Sequence, residues 1–102
     1  MGGTSVWLRF RASETTIRDL VSGYKRLAVE RKELRNFSEM WDPTLRRFDP
    51  ADRLRWKKLY AVPKLDCFKH TRGDGGSTTV WVDRRTGAVY VFLFGDSTTV
   101  WP

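Results

Sequence analysis

Cysteine occurs once in the 102 residues, at Cys67, and histidine once, at His70. A single thiol closes no intramolecular disulfide. One imidazole with scattered carboxylates falls short of a structural metal's ligand set, so no metal and no cofactor are expected. Long apolar runs are missing as well. The longest, Ala88–Phe94, has a strand's length and is far too short to span a bilayer. No charged N-terminal segment precedes an apolar stretch, and Val6 stands where a myristoylation signal needs Ser or Thr. These absences predict a cytoplasmic, reducing setting and no membrane partner.

What the chain has in quantity is positive charge and large aromatics. Nineteen Lys and Arg face twelve acids, a net charge of +7, and five Trp occur in 102 residues. The length predicts one domain, 1–102, with a strand in 1–12, a helical region in 13–62 and an antiparallel sheet in 64–102. The charge is uneven. Residues 44–72 hold nine Lys or Arg against three acids, whereas residues 73–102 hold two against three. A cationic middle third implies a surface that attracts nucleic acid or an acidic protein.

Local patterns predict an α+β fold with the order β-α-α-β-β-β-β. In TSVWLRFRAS, Val6, Leu8 and Phe10 alternate with Trp7, Arg9 and Arg11, as a half-buried strand does. Ser13 is a good N-cap. Ile17, Leu20, Val21, Tyr24, Leu27, Ala28 and Leu34 then recur at helical spacing, which predicts one long amphipathic helix to about Arg35 that tolerates Gly23. Asp-Pro occurs at Asp42-Pro43 and again at Asp49-Pro50, and an Asp cap before Pro starts helices. A short turn at Pro43–Arg47 and a second, basic helix from Pro50 to about Ala61 follow. Ala51, Leu54, Leu59 and Val62 form its expected buried side.

The remainder reads as a meander in which S-T-T-V-W appears at Ser77–Trp81 and again at Ser97–Trp101. A four-residue loop at Arg84–Gly87 pairs Asp83 with Ala88, hence Trp81 with Tyr90 and Val80 with Val91. A two-residue turn at Gly95-Asp96 would pair Tyr90 with Trp101. One apolar strand is then flanked by two copies of one phrase, and both of its faces need cover. Ser97–Trp101 would be an edge strand able to pair with a second copy, so a homodimer is possible.

Three groups of residues could carry chemistry. Trp81, Tyr90, Phe92 and Trp101 form an aromatic row that either stacks bases or serves as core. Arg46, Arg47, Arg53, Arg55, Lys57, Lys58, Lys64, Lys69 and Arg72, with Trp56 beside the helical ones, could neutralise phosphates or simply keep a solvated face charged. His70 and Arg72 share a strand face. They could work as general acid/base and phosphorane stabiliser, with help from Arg84 or Arg85, or be structural.

The order of strand, two helices and antiparallel meander resembles that of the RelE/ParE-type toxins, small basic proteins that cut ribosome-bound mRNA or poison gyrase. The likeness spans nearly the whole chain and lies in element order, with no residue pattern carried over. It implies a metal-independent ribonuclease. The residues favour a non-enzymatic binder of nucleic acid, or of a nucleic-acid-handling complex, acting through the basic helix and adjoining sheet, where Arg84 and Arg85 would add charge. The alternative is a protein-directed inhibitor or adaptor of viral or mobile-element type, docking through the aromatic sheet.

Overall fold

The structure, a computed structural model, describes residues 3–40, 47–73 and 75–96. The fold is α+β: among the described residues, an N-terminal strand, three α-helices and a five-stranded antiparallel sheet that closes on a β-meander. Contacts divide it into two compact units, one from residues 1–28 with 64–102 and one from residues 29–63.

In the first unit, strand β1 (Gly3–Arg11) leads to helix α1 (Glu14–Leu20) and a three-residue strand β2 (Lys25–Leu27). Strands β3 (Leu65–Thr71), β4 (Ser77–Asp83) and β5 (Ala88–Asp96) follow. The sheet order is β1-β5-β4-β3-β2. The meander has the predicted register: Trp81 opposes Tyr90, Val80 opposes Val91 and Asp83 opposes Ala88. The β4–β5 loop closes through Gly87, whose φ of +76° suits glycine and whose missing side chain lets the Ala12 carbonyl approach.

Both faces of the meander are buried. On one, Phe68, Val80, Val82, Val89 and Val91 pack with Ile17 of α1, and Leu20, Val21 and Tyr24 close around them. On the other, Leu65, Cys67, Trp81, Tyr90 and Phe92 are buried, with Trp7 tilted against Phe92 at 4.6 Å. Trp81, Tyr90 and Phe92 are at most 7% exposed, so these three members of the aromatic row are core rather than a docking surface. Helix α1 covers the central strands and leaves Leu8 and Phe10 of the sheet edge exposed.

Two expectations are corrected here. The long helix to Arg35 is two helices. Ser13 caps α1 by accepting from Thr16 N at 3.2 Å, but the helix ends at Leu20 and Gly23 takes φ +82°. The apolar spacing misleads because Tyr24 packs on the same core as Ile17 while lying beyond the helix, and Leu34 belongs to the other unit. The turn at Gly95-Asp96 is also absent. Gly95 and Asp96 continue β5, opposite Thr4 and Gly3. The far side of β5, assigned from sequence to Ser97–Trp101, is taken by β1, and Tyr90 opposes Arg9 instead of Trp101. Nine β1–β5 pairs with apolar partners on both faces outcompete five pairs with a Ser-Thr-Thr phrase. Ser97–Trp101, the proposed dimer edge, lies outside the described residues, as does most of the expected turn at Pro43–Arg47.

The second unit holds helix α2 (Arg31–Met40), helix α3 (Pro50–Lys57) and a 3₁₀ turn, Leu59–Ala61. Asp49 caps α3 by accepting from Ala51 N at 3.2 Å, with Pro50 in the first turn as the sequence predicts. Among the described residues of this unit, Leu34, Trp56 and Leu59 are the buried apolar ones. The buried Ser38 hydroxyl lies 3.1 Å from Leu34 O and 3.2 Å from Trp56 O, which links α2 to α3.

Candidate nucleic-acid interface

Burial of Trp56 and Leu59 fixes the rotation of α3. Residues 50, 53, 54, 57 and 58 then share a stripe on the outer side, being spaced by three and four. There Pro50, Arg53, Leu54, Lys57, Lys58 and Tyr60 line an open groove of about 380 Å³. Its lining is mostly apolar, and three of its six lining residues are cations. Leu54 is 52% exposed.

These cations differ in how far they are already engaged. Arg53 and Lys58 have no ion pair among the described residues, whereas Arg55, off the stripe, donates to Asp52 Oδ1 at 2.8 Å. Arg55 and Lys57 sit in the last turn, where the helix dipole favours positive charge. Asp49 and Asp52 stand at the opposite end, so α3 is acidic where it starts and basic where it finishes.

The Tyr60 end of the groove is held firmly. Arg31 Nη1 donates to Tyr60 O at 2.6 Å and to Val62 O at 2.7 Å, and its Nη2 donates to Pro63 O at 3.1 Å. One guanidinium thus gathers three carbonyls, one in the 3₁₀ turn and two just beyond it. The Arg35 guanidinium lies 5.6 Å from the Tyr60 ring centroid, over its face.

The residues singled out from sequence fall into separate places. Arg53, Lys57 and Lys58 converge on the groove, and Arg47 is exposed nearby in sequence. Trp56 is 2% exposed and cannot stack on a ligand. Ala51 and Leu54, expected inside, are exposed. Arg46 and Trp101 lie outside the described residues.

Lys64, Lys69, Arg72, Arg84 and Arg85 belong to the sheet unit. Arg84 is bound to Asp66 and lies 3.6 Å from Glu14, while Arg85 lies 3.6 Å from Asp83. Asp66 also accepts from Arg26 at 3.0 Å. The charges at this end of the sheet are therefore largely spent on carboxylates.

His70 is exposed and stacks on Tyr24 at 5.4 Å. The Arg72 guanidinium donates to Phe94 O at 3.4 Å and lies against Gly76, where any side chain would collide with it. Arg84 and Arg85 follow Asp83, which pairs with Leu65, five residues along β3 from His70 and so about 16 Å away. The cationic help proposed for His70 from that loop is not assembled.

Sequence reasoning passed over Arg31, Arg35, Leu54 and Tyr60 as groove residues. It also passed over Lys25, which lies directly opposite Lys69 in the β2–β3 ladder. Like charges opposed across strands repel, so this pair is a secondary place where an anion would be welcome.

No protein-family model, no curated protein and no solved structure matches the chain. Among the described residues, no helix is long and apolar enough to cross a membrane.

Proposed function

We propose that this is a small basic binding protein that acts non-enzymatically on nucleic acid through the outer face of α3. One observation carries the reading: Arg53, Lys57 and Lys58 line a single groove, and the first and last have no carboxylate partner among the described residues. Cations not consumed by ion pairs, as Arg53 and Lys58 are not among the described residues, are what polyanion binding uses, because each phosphate neutralised releases counterions. The excess of nine Lys or Arg over three acids across residues 44–72 supports the same reading.

The test is binding of a labelled RNA or DNA strand, followed by fluorescence anisotropy across a salt series. Two engaged cations, Arg53 and Lys58, give a log–log slope of about −1.4, so affinity falls roughly 7-fold between about 50 and about 200 mM salt. The double variant Arg53→Gln/Lys58→Gln should lose most of that slope. Absence of binding at low salt, or a slope unmoved by the double variant, rejects the proposal.

A second reading, an acidic protein as the partner of this groove, draws on the exposure of Leu54, since an apolar side chain amid cations suits a mixed protein surface. It predicts capture that is less sensitive to salt.

A further inference from the structure

We propose that the α3 groove takes unpaired nucleotides, the base lying against Leu54 and Tyr60 and the phosphate against Arg53 and Lys58, so that the chain prefers single strands to duplex. This rests on the nucleic-acid reading above and narrows it to one class of nucleic acid.

Shape is the first ground. Duplex backbone is met by cations projecting from a convex surface and needs no cavity. Here three cations are among the residues lining a concavity of about 380 Å³, towards the lower end of the roughly 300–1,000 Å³ typical of small-molecule sites and so scaled to one nucleotide. A base stacked inside a helix cannot enter such a space, whereas an unstacked one can.

Chemistry is the second. Leu54 is more than half exposed in the middle of the cationic stripe. Against phosphate alone it contributes nothing, and it gains only if the ligand brings an apolar face along with its charge. Single-strand binders combine these two features, a basic track and a surface on which bases lie. An acidic peptide supplies the charge, but a base supplies a flat apolar face and a phosphate within one unit.

Preorganisation is the third. The Tyr60 carbonyl is held by Arg31 and one face of its ring is taken by Arg35. The ring lines the groove in a position fixed before any ligand arrives, so little ordering cost falls on binding. Arg31 and Arg35 are positioning residues in this scheme.

The experiment compares one labelled strand of about 12 nucleotides, within the usual span of single-strand sites, free and annealed to its complement. Expected are tighter binding of the free strand by about 10-fold or more, and a loss of about 5-fold or more in Leu54→Ala with the salt slope unchanged. Leu54 is exposed, so this variant leaves the fold intact; Tyr60→Leu, checked for folding by circular dichroism, should behave likewise. Duplex binding equal to single-strand binding, or a Leu54→Ala variant that binds as well as the parent, overturns this inference and leaves the nucleic-acid reading standing. Failure of both strands at about 50 mM salt removes both. Binding of polyglutamate in their place, lost in Arg53→Gln, assigns the groove to an acidic protein partner and likewise overturns it.

Discussion

Alanine at position 23 meets opposite fates in the two descriptions of residues 14–35. In an unbroken helix, Gly→Ala stabilises by about 0.8–1 kcal/mol. In the structure Gly23 has φ +82°, and a residue with a Cβ pays about 1–2 kcal/mol to stand there. No atom lies within 4 Å of where that Cβ would sit, so no clash adds to the backbone cost. Alanine also narrows the unfolded ensemble, which returns about 0.4–1 kcal/mol. The net expectation is a loss near 1 kcal/mol, a fall in Tm of about 4–8 °C for a chain of this size. Urea denaturation should show the midpoint moving down with an unchanged m-value. Gly23→Asn should be milder, since Asn tolerates the left-handed region. An alanine variant as stable as the parent, or more so, would refute the break between α1 and β2.

Two further outcomes follow from side chains that do not touch the ligand. Arg31→Gln should lower thermal stability by about 1–2 kcal/mol, the exposed setting holding the loss to the low end for charge-assisted bonds, and Arg31→Lys should not restore it because one ammonium cannot span three carbonyls. Burial pushes the Cys67 thiol up to about 11, against an opposing pull from Lys69, so the folded protein should resist iodoacetamide at pH 8 and react once unfolded. The sign for stability follows: between about 9 and about 11 the unfolded chain has lost the thiol proton and the folded chain keeps it, so stability falls as pH rises, and Cys67→Ala should show less of that fall.

The sheet was legible where a turn fixes its register. Arg84–Gly87 is long enough to oppose Asp83 and Ala88, and every pair out to Val80 with Val91 follows from that one closure. The outer neighbour of β5 was not legible, because the choice lies between a local hairpin and a strand more than seventy residues away. Repetition of S-T-T-V-W favoured the local partner. Apolar matching favoured β1, whose Val6, Leu8 and Phe10 meet Leu93, Val91 and Val89 on one face while Trp7 meets Phe92 on the other. Local spacing carries no information about a competitor that distant.

The groove turned on a choice of the same kind within α3. The segment offers two apolar stripes, Ala51 with Leu54, and Trp56 with Leu59, separated by the same basic residues. Periodicity in so short a helix does not rank them. Burial area does, since a buried Trp withdraws about 150–250 Å² from water, far more than Ala or Leu offers. The Trp56 backbone carbonyl also receives Ser38 of α2. Once Trp56 and Leu59 turn inward, Leu54 must turn outward into the row of Arg53, Lys57 and Lys58, and a charged face becomes a charged face with an apolar lining. The capacity to hold a base as well as a phosphate is therefore a consequence of core packing. Substituting Trp56 would remove the reason for the rotation before it touched any ligand.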